Sequence, residues 1–341
     1  MRKPPVRLVA VGLSLAFSIV LSACGGSSTA TGGSPSPSGL KIGVVTDIGQ
    51  LEDKSFNEYS WKGVQEGAAA IGAPAPKVIV TKDVADYKAN IQQFVDQKFD
   101  VILTIGFLIG SDTGKAALAN PKIQFFGIDQ FVADPAPPNY QGLLFSEASA
   151  GYLAGIVAGT ISKSGKIGAV GGRSDVPPVV NYIKGYGNGA KSVNASVKVS
   201  VNYTEDFNAP DKGQASAQTM IGQGVDVIFQ VAGLTGAGAL RAACNAKIWG
   251  IGVDVDQYQS LPDAKQCIVT SAEKHLQVAA REAIKRFKAS GKQTKNFFND
   301  ATNGGIGYSP IRNITPVPAG LEDKLKAAIA AMAAGTLNPN P

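Results

Sequence analysis

The chain has 341 residues, of which 44% are hydrophobic and 17% charged, and its formal net charge is +6. No dense Lys/Arg patch underlies that charge, which argues against nucleic acid as a partner. Three cysteines without a C-x-x-C pair and a single histidine, His275, exclude a zinc ribbon, a thioredoxin-type site and any chemistry built on several histidines. The body from Leu40 onward, about 300 residues, suffices for two domains of ordinary size.

The first element is not part of that body. Arg2, Lys3 and Arg7 supply three of the positive charges, and Leu8 to Leu21 is an apolar run of 14 residues, short of the ~20 a bilayer crossing needs. A basic start, a short apolar core and small residues before a cut site predict a secretory signal over 1–23. Leu21-Ser22-Ala23-Cys24 resembles a bacterial lipobox. That resemblance implies lipidation of Cys24 and attachment to the outer face of the cell membrane, the plain alternative being an ordinary signal with a cysteine nearby. Residues 24–39 continue as GGSSTATGGSPSPSG after the cysteine, with no charge and no large apolar side chain. Such a segment buries no core and is expected to be a flexible tether.

Short apolar runs then alternate with amphipathic stretches. KIGVV (41–45), VILTIG (101–106), IQFFGI (123–128), KIGAVG (166–171), VKVSV (197–201), DVIFQV (226–231) and IWGIGV (248–253) have the character of parallel strands covered on both faces. Val84, Tyr87, Ile91, Phe94 and Val95 fall on one helical stripe over 84–98, and Phe56, Val64, Ala68 and Ile71 do likewise over 55–71. This alternation predicts a doubly wound α/β fold. An internal repeat aligns 97–129 with 223–254: each copy reads strand, Gly-rich turn, helix, strand, aspartate, with Asp100 matching Asp226 and Asp129 matching Asp254. Two similar lobes facing one another define a cleft, and in open α/β sheets ligands sit beyond the carboxyl ends of the strands. The expected division is lobe one over 40–144 plus 271–298 and lobe two over 145–270 plus 299–341. The chain would cross near 142–146, 269–271 and 300–305 to form a hinge.

The segment Asp47-Ile48-Gly49-Gln50-Leu51-Glu52-Asp53-Lys54-Ser55-Phe56-Asn57 closely resembles the start of the basic membrane protein (BMP) family of lipoproteins. Gly252-Val253-Asp254-Val255-Asp256-Gln257 is the other strong match. Further ones are Gly106-Phe107, Gly151-Tyr152-Leu153-Ala154-Gly155, Gly171-Gly172, Asp206-Phe207 with Pro210 and Lys212-Gly213, and Thr270-Ser271 with Lys274, so the likeness runs from 41 to about 310. It implies a type I periplasmic-binding-protein fold, two Rossmann-like lobes with parallel sheets joined by a multi-strand hinge. It also implies a monomeric receptor that delivers a nucleoside, a purine nucleoside above all, to the permease of an ABC importer. Some members of the family bind other nucleosides or riboflavin.

The residues themselves suit that chemistry. Asp47 ends the first strand, and Asp53 or Ser55 is a good N-cap for the following helix. Phe56 in its first turn can stack on a base, and Asn57 carries both donor and acceptor for a base edge. Phe207, in the polar loop YTEDFNAPDKG, is the candidate for the opposite face, with Phe107 its rival. Gly233 would let backbone approach the ligand. The resemblance assigns Asp254 and Lys274 to the ribose, the alternative being a structural ion pair. Asp129 would hold base or sugar, or cap its own loop. His275 is expected at the surface or behind the site, and Trp61 and Trp249 in the core. An enzyme such as a nucleoside hydrolase could use Asp47, Asp53 and Asp129. However, no clustered aspartate run, Ser/Cys–His pair or P-loop is present, so no enzyme, metal or cofactor is expected. A simple-sugar or riboflavin receptor and a ligand-sensing module of the same fold remain open. So does the pairing of Cys244 with Cys267. A transcriptional regulator is disfavoured, because a secretion signal stands where a helix-turn-helix would.

Overall fold

The computed structural model describes residues 39–340. The signal segment 1–23, the lipidation expected at Cys24 and the tether except Gly39 lie outside the described residues. The body opens with β1 (Ile42–Thr46), α1 (Phe56–Ala70), β2 (Lys77–Ile79), α2 (Tyr87–Asp96), β3 (Val101–Ile105), α3 (Gly110–Ala119), β4 (Gln124–Ile128) and β5 (Tyr140–Phe145). A second lobe follows as α4 (Glu147–Ile161), β6 (Lys166–Gly171), α5 (Pro177–Val193), β7 (Lys198–Tyr203), α6 (Pro210–Gly222), β8 (Val227–Val231), α7 (Gly233–Asn245), β9 (Trp249–Asp254), the single turn α8 (Gln257–Ser260) and β10 (Ile268–Lys274). The chain returns to the first lobe for α9 (Leu276–Ser290) and β11 (Lys295–Asn299), and to the second for β12 (Ile306–Tyr308) and α10 (Leu321–Ala333).

Each lobe carries one six-stranded sheet, in the orders β11-β5-β4-β3-β1-β2 and β12-β10-β9-β8-β6-β7. All neighbours run parallel except β12, which is antiparallel to β10. Every residue of β1, β3, β4 and β8 is buried. A parallel sheet covered by helices on both faces demands such continuous apolar strands. The result is a doubly wound α/β molecule of the type I periplasmic-binding class. Helix α4 is apolar almost throughout and buried on nearly every side. It lies so close to α5 that a Cβ on Gly151 or Gly155 would overlap the carbonyls of Tyr182 and Tyr186, and one on Gly185 or Gly189 those of Ala148 and Tyr152. The glycine-rich stretch 151–155 is therefore a packing surface that seats α5 and fixes where Tyr182 points.

Two expectations need correction. The second crossing was placed at 269–271, with lobe one resuming at 271. Instead β10 pairs with β9 as far as Glu273 and with β12 as far as Lys274, so residues 271–274 belong to the second sheet and the chain crosses at His275. The other crossings fall between β5 and α4 and between β11 and β12. Val84 does not share the α2 stripe: it sits in a separate 3-10 turn after Asp83, whose side chain caps it, and is 52% exposed. Trp61 and Trp249 are partly buried against the core.

Cys244, at the end of α7, is bonded to Cys267 ahead of β10, with their Cα atoms 5.1 Å apart at a sequence separation of 23. Closing a loop of that length is worth ~3 kcal/mol in chain entropy. Replacing both cysteines by serine should lower the unfolding free energy by about that amount, read by denaturant melting. A double variant as stable as the parent would show that the bond contributes nothing to the fold.

Candidate functional site

The two sheets present the carboxyl ends of their strands to one another, and the cleft between them is lined from both lobes and open to solvent at its mouth. All nine residues singled out in the sequence, Asp47, Phe56, Asn57, Phe107, Asp129, Phe207, Gly233, Asp254 and Lys274, line it. Each arrives by the end of a strand or the start of a helix. Asp47 follows β1, Phe107 follows β3, Asp129 follows β4, and Asp254 ends β9. Asp129 and Asp254 both adopt left-handed backbone, with φ of 62° and 65°. The two ends of the repeat thus share an uncommon conformation, of the kind that clusters at functional sites.

The start of α1 settles which of the two expected residues caps it. Asp53, not Ser55, caps the helix: its carboxylate accepts from the backbone N–H groups of Ser55 (2.9 Å), Asn57 (2.9 Å) and Glu58 (3.2 Å). Burial nevertheless pushes Asp53 up to about 7. Ser55 is freed to reach across the cleft, where its hydroxyl donates to Asp254 Oδ2 at 2.8 Å. Ser260 of the second lobe donates to the Lys54 carbonyl at 2.7 Å, so the two lobes touch through this loop. Asn57 donates to the Gln50 carbonyl, while its Oδ1 is buried without a partner among the described residues. Asp47 is largely committed to its own lobe: it accepts from the Tyr87 hydroxyl and from the Leu108 N–H (2.9 Å).

Lys274 is the centre of charge. Only 2% exposed, its ammonium lies 2.6 Å from Asp129 Oδ2 and 3.3 Å from Glu147 Oε1, and it faces the rings of Phe145 (4.9 Å) and Phe56 (5.2 Å). Burial works against the ammonium, but Asp129, Glu147 and Asp254 outweigh it and hold its pKa above the ordinary lysine value. The carboxylates outnumber it. Burial raises Glu147 to about 7 and Asp254 to about 6, with Lys274 pulling both back. Asp129 is raised by burial in the same way, and its Oδ1 has no partner among the described residues. A buried floor with surplus acceptors and one cation is matched by a neutral ligand rich in hydroxyl groups.

Apolar walls stand above that floor. Phe56 comes from the first lobe and Phe207 from the second. A Cβ on Gly172 would overlap the Phe207 ring, so the second of the paired glycines 171–172 is what lets that ring lie against backbone. Phe107 is 37% exposed. Gly233 opens α7 and offers backbone to the cleft. His275 lies outside the cleft, bridging the Gly304 carbonyl (2.5 Å) and Glu273 (3.3 Å) at the hinge.

Sequence reasoning missed Ser55 as a bridge, Tyr182 and Glu147. Tyr182 lines the cleft beside Asp254 but belongs to a Val179–Tyr182–Ile183–Tyr186 stripe that reads as core. Glu147 had a signal: it is the lone charge of α4. Among the described residues, no group of His, Cys, Asp and Glu is placed to hold a metal ion, and no helix is long and apolar enough to cross a membrane.

Residues 40–327 match the family described as Bmp, ABC transporter substrate-binding protein PnrA-like. The chain belongs to the Bmp family. Among the relatives of this Bmp protein is a CD4+ T-cell-stimulating antigen of Listeria innocua, 33% identical over 82% of this chain and 83% of the other. The ABC transporter nucleoside-binding protein BmpA of Lactococcus lactis is 33% identical over 74% of each chain. Basic membrane protein A of Borreliella burgdorferi is 31% identical over 84% and 80%. The Bmp fold is shared with the crystal structure of an ABC transporter solute-binding protein from Aeropyrum pernix K1, at a TM-score of 0.79, 24% identity and coverage of 88% and 92%. This Bmp protein is accordingly the extracytoplasmic substrate-binding component of an ABC transporter and not an enzyme.

Proposed function

We propose that the protein captures a nucleoside, with a purine base, between its lobes and hands it to the permease while held to the membrane by lipid on Cys24. The base stacks between Phe56 and Phe207, with Asn57 Oδ1 accepting from its edge and Gly233 lending backbone. The ribose hydroxyls meet Asp254, Asp129 and Lys274. The observation that carries this reading is the pairing of a buried acidic floor around Lys274 with aromatic rings from opposite lobes.

Calorimetric titration with adenosine, guanosine, inosine, ribose and riboflavin tests it. Purine nucleosides should bind at micromolar concentration or tighter, and binding of ribose or riboflavin alone would refute the reading. Base stacking on an aromatic ring is worth ~1–3 kcal/mol. Phe56→Ala should therefore weaken purine nucleosides about tenfold or more while leaving the thermal transition intact, and an unchanged affinity would remove Phe56 from the site.

A further inference from the structure

A second cavity, open to solvent, adjoins the first. The two share Ile48, Gly49, Gln50 and Phe207. The strand orders show where it lies. Moving away from the hinge in the first lobe, the tips pass from Asp129 after β4 to Phe107 after β3, to Asp47–Gln50 after β1, and finally to Val80–Lys82 after β2. In the second lobe they pass from Lys274 on β10 and Asp254 on β9 to Gly233 after β8, Gly172 after β6, and Glu205–Asn208 after β7. The second cavity is walled by the last step of each series. Neighbouring strands stand ~4.8 Å apart, so the two steps from β4 to β1 cover ~10 Å, about the length of a purine nucleoside. A ligand with its sugar on the floor around Lys274 ends its base at Phe207, and the next strand step is open space.

That space is built and polar. Thr81 is 1% exposed, and its backbone N–H donates to Thr46 Oγ1. In the facing loop Thr204 and Glu205 donate backbone N–H groups to the Gly171 and Gly172 carbonyls at 2.9 and 2.7 Å. Asp206 is tied to Lys212 at 2.9 Å. Glu205 adopts left-handed backbone with φ 56°, a conformation a non-glycine residue holds only where its surroundings impose it. Among the described residues its carboxylate receives only the Ser174 N–H, at 3.2 and 3.4 Å, and retains acceptor capacity.

We propose that the tips of β2 and β7 form a second subsite, which takes a hydrogen-bond-donating substituent on the base edge remote from the sugar, so that the ligands include base-modified purine nucleosides. The proposal rests on the nucleoside reading above. It is tested by titrating the protein with adenosine and with adenosine bearing a 4-aminobutyl chain on its exocyclic amine, in parent and Glu205→Gln forms. The analogue should bind the parent within threefold of adenosine or tighter. Glu205→Gln should weaken the analogue about fivefold or more while adenosine changes less than twofold. A tenfold or greater loss for the analogue on the parent, or a variant that treats both ligands alike, overturns the subsite while adenosine binding itself stands. Absence of adenosine binding would instead overturn the nucleoside reading and this inference with it.

Discussion

Lys274→Met should lower the unfolding free energy of the ligand-free protein by ~3–5 kcal/mol at pH 8, the cost of breaking a buried ion pair from one side. The lysine is 2% exposed and is the one cation in contact with Asp129 and Glu147 among the described residues. Without it those carboxylates and Asp254 face one another in a site that already raises Glu147 to about 7 and Asp254 to about 6 by burial. Their pKa values in the variant should rise further. Because unfolding returns them to ordinary carboxylate values, the native state then binds more protons than the unfolded state between about pH 4 and pH 8, and stability falls as pH rises across that window. The parent has the same sign from Asp53, Glu147 and Asp254, but a shallower slope, since Lys274 keeps its charge throughout. The deficit of the variant should therefore shrink toward pH 5. Denaturant unfolding of both proteins at pH 5 and pH 8 measures it, and an equal deficit at the two values would mean that Lys274 is not what balances these carboxylates.

How much of this was legible in the sequence follows from burial. The strands read from their apolar runs, β1, β3, β4, β6, β7, β8 and β9, are mostly central ones whose both faces are covered. Most of the missed ones lack that signature; the exception is β5, a buried central strand whose residues 142–145 fall within the expected first crossing. β2 is three residues at a sheet edge with Lys77 exposed, and β11 is an edge strand whose Phe298 is 54% exposed. β10 carries Thr270, Ser271, Glu273 and Lys274 because it is the strand that leads into the hinge, and its polar half was read as the crossing itself. The site divided along a similar line. Residues at strand tips were visible because the repeat and the α/β pattern place such tips at one cleft. Ser55 was visible only as a local cap, since its contact with Asp254 spans 199 residues of sequence and exists only when the lobes meet. Tyr182 was hidden in an apolar stripe, because the same helix face serves both core and cleft.

On the proposed reading Asp254 separates sugar recognition from base recognition, and its replacement should have the second large effect. Its Oδ2 accepts from Ser55 at 2.8 Å and its Oδ1 faces the Tyr182 hydroxyl at 3.5 Å, too long for a strong bond, so one oxygen retains acceptor capacity toward a ligand. Asp254→Asn is the informative change, because asparagine tolerates the left-handed backbone that this position adopts and keeps the shape of the side chain. Hydrogen bonds to a charged group contribute ~1.5–3 kcal/mol each. The variant should bind purine ribonucleosides about ten- to a hundredfold more weakly, while free bases change less than threefold. The parent should prefer a ribonucleoside to its 2′,3′-dideoxy counterpart, since a site built for hydroxyls rejects ligands that lack them. In the variant that preference should collapse if carboxylate and hydroxyls are the two halves of one interaction, since their losses are then not additive. Calorimetry on the four combinations closes the cycle. A preference for hydroxyls that survives Asp254→Asn undiminished would place the sugar elsewhere, leaving the buried acidic floor to serve closure of the lobes alone.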